Sequence, residues 1–189
     1  MLKSSQKLNY CLVVLLFFSN IGGVSAQVLD KPAVFALLTF NIARFTRWPP
    51  LVLPAISKNI QICVVGDNII RDAFYALERE SKRKRNIQIR YLSRLRKIQQ
   101  CHVLYISGLK QDILRQVLNQ IKKQPILTVG EGREFVQNGG MVAFEVYNKK
   151  TKLMINLSAL KQAGLSINAR ILKLAEIVTS PFPNVKTVE

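Results

Sequence analysis

Three short apolar runs, IQICVVG (60–66), HVLYIS (102–107) and PILTVGE (125–131), are separated by amphipathic stretches. This alternation constrains the fold more than any other feature. Near-continuous Val, Ile and Leu marks strands buried on both faces, and such strands occur in parallel sheets covered by helices. The stretches between them carry helical spacing. IIRDAFYALERE (69–80) reads as one helix. LKQDILRQVLNQIKK (109–123) reads as another, with Ile113, Val117, Leu118 and Ile121 on one face. A strand at 87–92 (IQIRYL), a helical turn within 93–99 and a turn of helix at 133–137 fill the remaining connections.

The ends of the chain depart from this alternation. Residues 31–47 predict a helix, with Asp30 as N-cap and Pro32 in the first turn. Phe35, Leu38, Ile42 and Phe45 form its apolar stripe, and Pro49-Pro50 stops it. After Gly139-Gly140 the period changes to two: Val142, Phe144 and Val146, then Leu153, Ile155 and Leu157, predict a β-hairpin around residues 148–151. Ser158–Ala163 gives a helical turn that Gly164 breaks. Asn168 caps a final helix, 169–178, with Ile171, Leu172, Ala175 and Val178 inward. The expected fold is α/β: a single three-layer domain over residues 27–180, with a mostly parallel central sheet, an added β-hairpin and helices on both faces. Residues 181–189 form a flexible tail.

The first residues are excluded from that domain. Lys3 and Lys7 precede the apolar run CLVVLLFF (11–18), and small residues follow at Val24-Ser25-Ala26. This is the pattern of a cleavable secretory signal peptide over residues 1–26. The run is too short for a typical membrane span of about 20 residues; an uncleaved anchor is the alternative. The chain carries 28 Lys and Arg against 11 Asp and Glu, a formal charge of +17. Such charge favours anionic partners, and export argues against nucleic acid as the working one. The densest basic patch joins Lys82, Arg83, Lys84, Arg85, Arg90, Arg94, Arg96 and Lys97. It is either a solvated loop and edge strand or a surface for anionic lipid, lipopolysaccharide or an acidic protein.

Two cysteines follow the signal segment, Cys63 and Cys101, each beside an apolar run. An even count in an exported chain predicts a disulfide, with two buried thiols as the alternative. Catalytic groups are sparse. His102 is the single histidine. As a strand neighbour of Cys101 it points to the opposite face, so a Cys–His nucleophile pair is not expected. One His and two Cys do not make a metal site, and no cofactor is expected. The turn CVVGDN offers one glycine where a dinucleotide fingerprint needs three, and Asp67 would repel an anion.

Several stretches carry a family resemblance: NIARFTRWP (41–49), IQICVVGDN (60–68), CHVLYIS (101–107), PILTVGE (125–131), FVQNGGMVAFEV (135–146) and KLMINLSALKQAGLSINARILKLAEIV (152–178). In this order and spacing the chain resembles the YfiR family of periplasmic proteins. The resemblance implies a non-enzymatic regulator. Such proteins repress a membrane diguanylate cyclase by binding its periplasmic sensor domain, and an outer-membrane lipoprotein can sequester them. It also implies a compact α/β domain, often a homodimer, with a disulfide at the positions of Cys63 and Cys101. A second disulfide known in the family has no cysteines here. A regulator of this kind needs an exposed recognition surface. The candidates are Arg44, Arg47 and Trp48 at the end of the first helix, Arg170 and Lys173 on the last helix, and Glu145 and Asn156 in the hairpin. Core packing is the alternative for Trp48. An envelope-binding module that uses the basic patch is the alternative function.

Overall fold

The computed structural model describes residues 30–52, 60–81, 87–93, 95, 97–148 and 150–179. Along the chain lie α1 (Lys31–Phe45), β1 (Thr46–Arg47), β2 (Ile60–Val65), α2 (Asn68–Ser81), β3 (Ile87–Tyr91), a 3-10 turn (Ile98–Gln100), β4 (Val103–Ile106) and α3 (Gln111–Ile121). They are followed by β5 (Leu127–Glu131), α4 (Arg133–Gln137), β6 (Val142–Tyr147), β7 (Lys150–Ile155), α5 (Leu157–Gln162), β8 (Ser166–Ile167), α6 (Ala169–Leu172) and β9 (Glu176–Ile177).

The main sheet runs β3-β2-β4-β5-β6-β7-β9. The first five strands are parallel, β7 is antiparallel to β6, and β9 is parallel to β7. From β2 the chain moves to one side for β3 and then crosses to the other side for β4. Right-handed crossovers therefore put α2 on one face and α3 with α4 on the other. The core follows this division. Ile62 and Val64 of β2 join α1, α2 and α5 in one cluster, whereas Cys63 and Val65 join α3 and α4 in a second. Alternation along a strand is the cause. Phe74 packs on Tyr105 at 5.1 Å and Phe35 on Phe144 at 5.4 Å, all four fully buried. Burying each large side chain contributes about 2 kcal/mol. The expected three-layer α/β architecture is the one found.

Cys63 and Cys101 are bonded, with Cα atoms 5.7 Å apart and a sequence separation of 38. In the chain-entropy model a closed loop of that length stabilises by about 4 kcal/mol. The Gly139-Gly140 segment also has a packing role. A Cβ on Gly140 would stand 2.2 Å from the Phe135 ring, and one on Gly130 2.4 Å from it. Both glycines are required for space, because the ring of α4 rests directly on their backbone.

Four expectations are corrected. The final helix ends at Leu172. The chain then turns and adds β9 beside β7, so the hairpin is not the edge of the sheet. Ile171 and Leu172 pack on the first cluster while Val178 enters the second, so this segment wraps the end of the sheet. The buried face of α1 is Phe35, Ala36, Thr39, Phe40, Ile42 and Ala43, and Phe45 is 41% exposed. The helix is covered on two sides, so a single narrow stripe misjudges its rotation. In α3 the buried set is Leu114, Val117, Leu118 and Ile121, with Ile113 turned outward. The expected tail, residues 181–189, and the signal segment lie outside the described residues.

Candidate recognition surface

Helix α1 ends through its own side chains. Thr46 Oγ1 donates to the Ile42 carbonyl at 2.8 Å, and the Thr46 N–H returns to Ala43 O. The backbone then becomes extended, and alternation sends Thr46 inward, Arg47 outward and Trp48 inward. Trp48 is 9% exposed and stands edge-on to the His102 ring at 6.3 Å. It is therefore a core residue and not a rim contact. His102 is structural as well: its Nδ1 accepts the Gln61 N–H at 2.9 Å.

β1 pairs antiparallel with β8, placing Arg47 opposite Ser166 and Thr46 opposite Ile167. The Asn168 N–H continues this ribbon by donating to the Phe45 carbonyl at 3.0 Å. Asn168 Oδ1 accepts the Arg170 N–H at 2.9 Å and starts α6. Arg170 and Lys173, three apart, share its exposed side. Arg47, Ser166, Asn168 and Ala169 line a small hollow of about 260 Å³. Two stretches more than a hundred residues apart in sequence thus form one surface. Leu37, Arg44 and Phe45 are the exposed residues of α1 beside it. Arg44 also lies 5.9 Å from the Phe40 ring centre. Among the described residues, none of Arg44, Arg47, Arg170 and Lys173 is paired with a carboxylate; the ion pairs found there are Lys31–Glu131 and Arg133–Glu176. The sequence reading missed Phe45 and Leu37 as surface groups. The available signal was Leu37 seven residues before Arg44, on the same side of α1.

The two hairpin candidates lie elsewhere. Asn156 is 1% exposed, its Oδ1 accepts the Ala159 N–H at 3.0 Å, and its Nδ2 donates to Val136 O at 3.0 Å. Both ends of the amide are used inside the fold, so Asn156 is not a surface contact. Glu145 shares a strand face with Ala143, which belongs to the second cluster, and it lines a different cleft. Of the basic patch, Arg90 and Lys97 are exposed. Arg90 Nη1 donates to Gln100 Oε1 at 2.6 Å, and Lys97 has a positive φ of 69°. Lys82, Arg83, Lys84, Arg85, Arg94 and Arg96 lie outside the described residues.

That other cleft, about 670 Å³, opens at the carboxyl ends of β4 and β5. Several of its polar groups are engaged with one another or with neighbouring residues. Glu131 Oε1 accepts Tyr105 Oη at 3.2 Å and Ser107 Oγ at 3.0 Å, and its Oε2 meets Lys31 Nζ at 2.7 Å. Burial, then the Glu131 charge, raises the Tyr105 phenol above its ordinary value, so it stays a donor. Gln111 Nε2 donates to Glu134 Oε2, and Arg133 holds Glu176. Doubly wound sheets bind ligands where the strand order reverses, here between β2 and β4. There the turn after β2 is closely packed: a Cβ on Gly66 would meet Ile70 Cγ2 at 3.3 Å, and Asp67 Oδ1 caps the Ile70 N–H at 3.0 Å.

Comparison with known proteins fits this geometry. The YfiR/HmsC-like family profile matches residues 32–176. Among solved structures, a conserved domain protein from Vibrio cholerae O1 biovar El Tor str. N16961 superposes with a TM-score of 0.53 at 15% identity. The superposition covers 80% of this chain and 61% of that one. At this identity the likeness concerns the fold.

Proposed function

The chain belongs to the YfiR/HmsC-like family, and from that premise we propose that it is a periplasmic repressor of an inner-membrane diguanylate cyclase. It is exported by a cleavable signal peptide, binds the sensor domain of the cyclase and lowers cyclic-di-GMP synthesis. An outer-membrane lipoprotein that captures it would release the cyclase. Membership of a regulatory family and a buried disulfide support an extracytoplasmic, regulatory role. No helix among the described residues is long and apolar enough to cross a membrane.

The observation that carries the reading is the joining of the α1 end to β8 and α6, which puts Arg44, Arg47, Arg170 and Lys173, none paired with a described carboxylate, on elements that meet at exposed Phe45. A surface of this kind recognises a protein. Repression then requires tighter binding to the inactive cyclase than to the active one. A tenfold shift between those states needs about 1.4 kcal/mol of differential affinity. The test is the cyclic-di-GMP content of a strain lacking the gene. It should rise and return to normal when the exported protein is restored. An unchanged content in the deletion strain refutes the proposal.

A further inference from the structure

The surface is made from two stretches without a single acid. Residues 31–66 contain no Asp or Glu, and neither do residues 146–175. The first stretch supplies α1 and β1; the second supplies β8 and α6. Neither stretch therefore carries a carboxylate of its own to neutralise Arg44, Arg47, Arg170 and Lys173, and among the described residues no ion pair reaches them. The carboxylates of the chain are held elsewhere, as at Glu131 and Glu134 in the cleft beside β5. Leu37, 40% exposed, lies on the helix side of Arg44 seven residues earlier; Phe45, 41% exposed, follows Arg44, and Leu174, 77% exposed, follows Lys173.

From this arrangement we infer that the α1–β8–α6 face docks an acidic protein surface with an apolar centre: carboxylates opposite Arg47, Arg170 and Lys173, and apolar side chains opposite Phe45 and Leu37. The inference rests on the regulatory reading and names the chemistry its partner must present. Like charge sets the choice of occupant. A second copy would bring the same cations, and a net charge of +15 without Lys3 and Lys7 of the signal segment, against this face; like-charge juxtaposition across an interface is strongly unfavourable. Complementary charge does the reverse. It speeds encounter and makes binding sensitive to salt. The apolar centre then supplies the desolvated contact that holds the complex. Trp48, buried behind Arg47, supports the ribbon from within, as Thr46 does through its bond to Ile42.

The experiment measures binding of the mature protein to purified periplasmic domains of the organism's membrane diguanylate cyclases at low and moderate salt. It also measures binding to vesicles containing phosphatidylglycerol, and self-association by sedimentation. The variants are Arg47→Gln/Arg170→Gln, Phe45→Ser, and the charge-matched control Lys122→Gln/Lys123→Gln at the exposed end of α3. The expected result is one cyclase domain bound by the native protein, with affinity falling as salt rises. Each surface variant should weaken it by about tenfold or more, while the control leaves it unchanged and all variants keep the native circular dichroism. Tight, salt-insensitive binding unaffected by the surface variants overturns the inference and leaves the repressor reading standing. Equal weakening by the control also overturns it, since overall charge would then suffice. Vesicle binding or self-association that depends on Arg47 and Arg170, with no cyclase domain bound, overturns both.

Discussion

The carbonyl of Phe45 accepts a hydrogen bond from the Asn168 N–H at 3.0 Å, and this contact fastens the end of α1 to the start of α6. Asn168 has φ −57°, a value proline adopts without strain. Asn168→Pro therefore deletes the donor and the side-chain cap while keeping the backbone path. It should destabilise the protein by about 1–3 kcal/mol, and Asn168→Ala, which loses the cap alone, by about 1 kcal/mol. Urea unfolding of the two variants measures the difference. Equal stability would mean that the bond to Phe45 contributes nothing.

That contact also shows where sequence reading stops. The buried strands, the helices between them, the hairpin and the bonded cysteines were legible because each is written in local periodicity or residue type. Helix α1 was legible as a helix, but its rotation was not: it is covered on two sides, so Phe45 was placed inside and Phe40 overlooked. Trp48 was undecided because only the outward turn of Arg47 in a two-residue strand fixes its direction. The β1–β8 pairing joins two residues to two others across most of the chain, and neither stretch has strand character of its own. Arg47 and Arg170 could be named as candidates from sequence but not brought together. Asn156 read as exposed polar because nothing in its neighbours reveals the Val136 carbonyl it satisfies.

The packing of Phe135 on Gly140 gives a sharp prediction. Gly140→Ala would set a methyl group 2.2 Å from the ring and 2.7 Å from the Phe135 carbonyl oxygen. Because the second contact is backbone, rotating the ring does not relieve it. A loss of about 1–3 kcal/mol or more is expected, seen as a lower urea midpoint. Phe135→Leu in the same chain should recover only part of it. A fully stable Gly140→Ala protein would contradict the contact.

Asn156 separates a core role from a partner role. Asn156→Ala removes the acceptor for the Ala159 N–H and one donor to the Val136 carbonyl, which keeps the Gly139 N–H at 3.2 Å. The expected cost is about 1–3 kcal/mol, with affinity for the cyclase domain unchanged at a temperature where the variant is folded. Lost affinity in a fully stable variant would return Asn156 to the interface.

Arg133 and Glu176 join α4 to β9 at 2.6 Å. The hydrogen bond from Arg133 holds the Glu176 carboxyl below its ordinary range, against the opposing effect of burial. A depressed carboxylate stabilises the fold above its unfolded value, and that contribution disappears as pH falls through the folded value. The β9 pairing, marked by the Val178 N–H to Ile155 O bond of 2.9 Å, should therefore hold at neutral pH and loosen in acid, below the ordinary glutamate value of about 4.3. Carbon-detected NMR titration of the Glu176 carboxyl should give a midpoint below that of an unfolded peptide, and Arg133→Gln should raise it. A midpoint at or above the peptide value would dismiss the link.

The central claim is repression through direct contact, and one measurement addresses it most directly. The full-length cyclase, in membrane vesicles that expose its periplasmic face, is assayed for cyclic-di-GMP synthesis with and without added mature protein. The account predicts a dose-dependent fall in synthesis that Arg47→Gln/Arg170→Gln weakens and Lys122→Gln/Lys123→Gln does not. Synthesis that stays constant at saturating protein would contradict it.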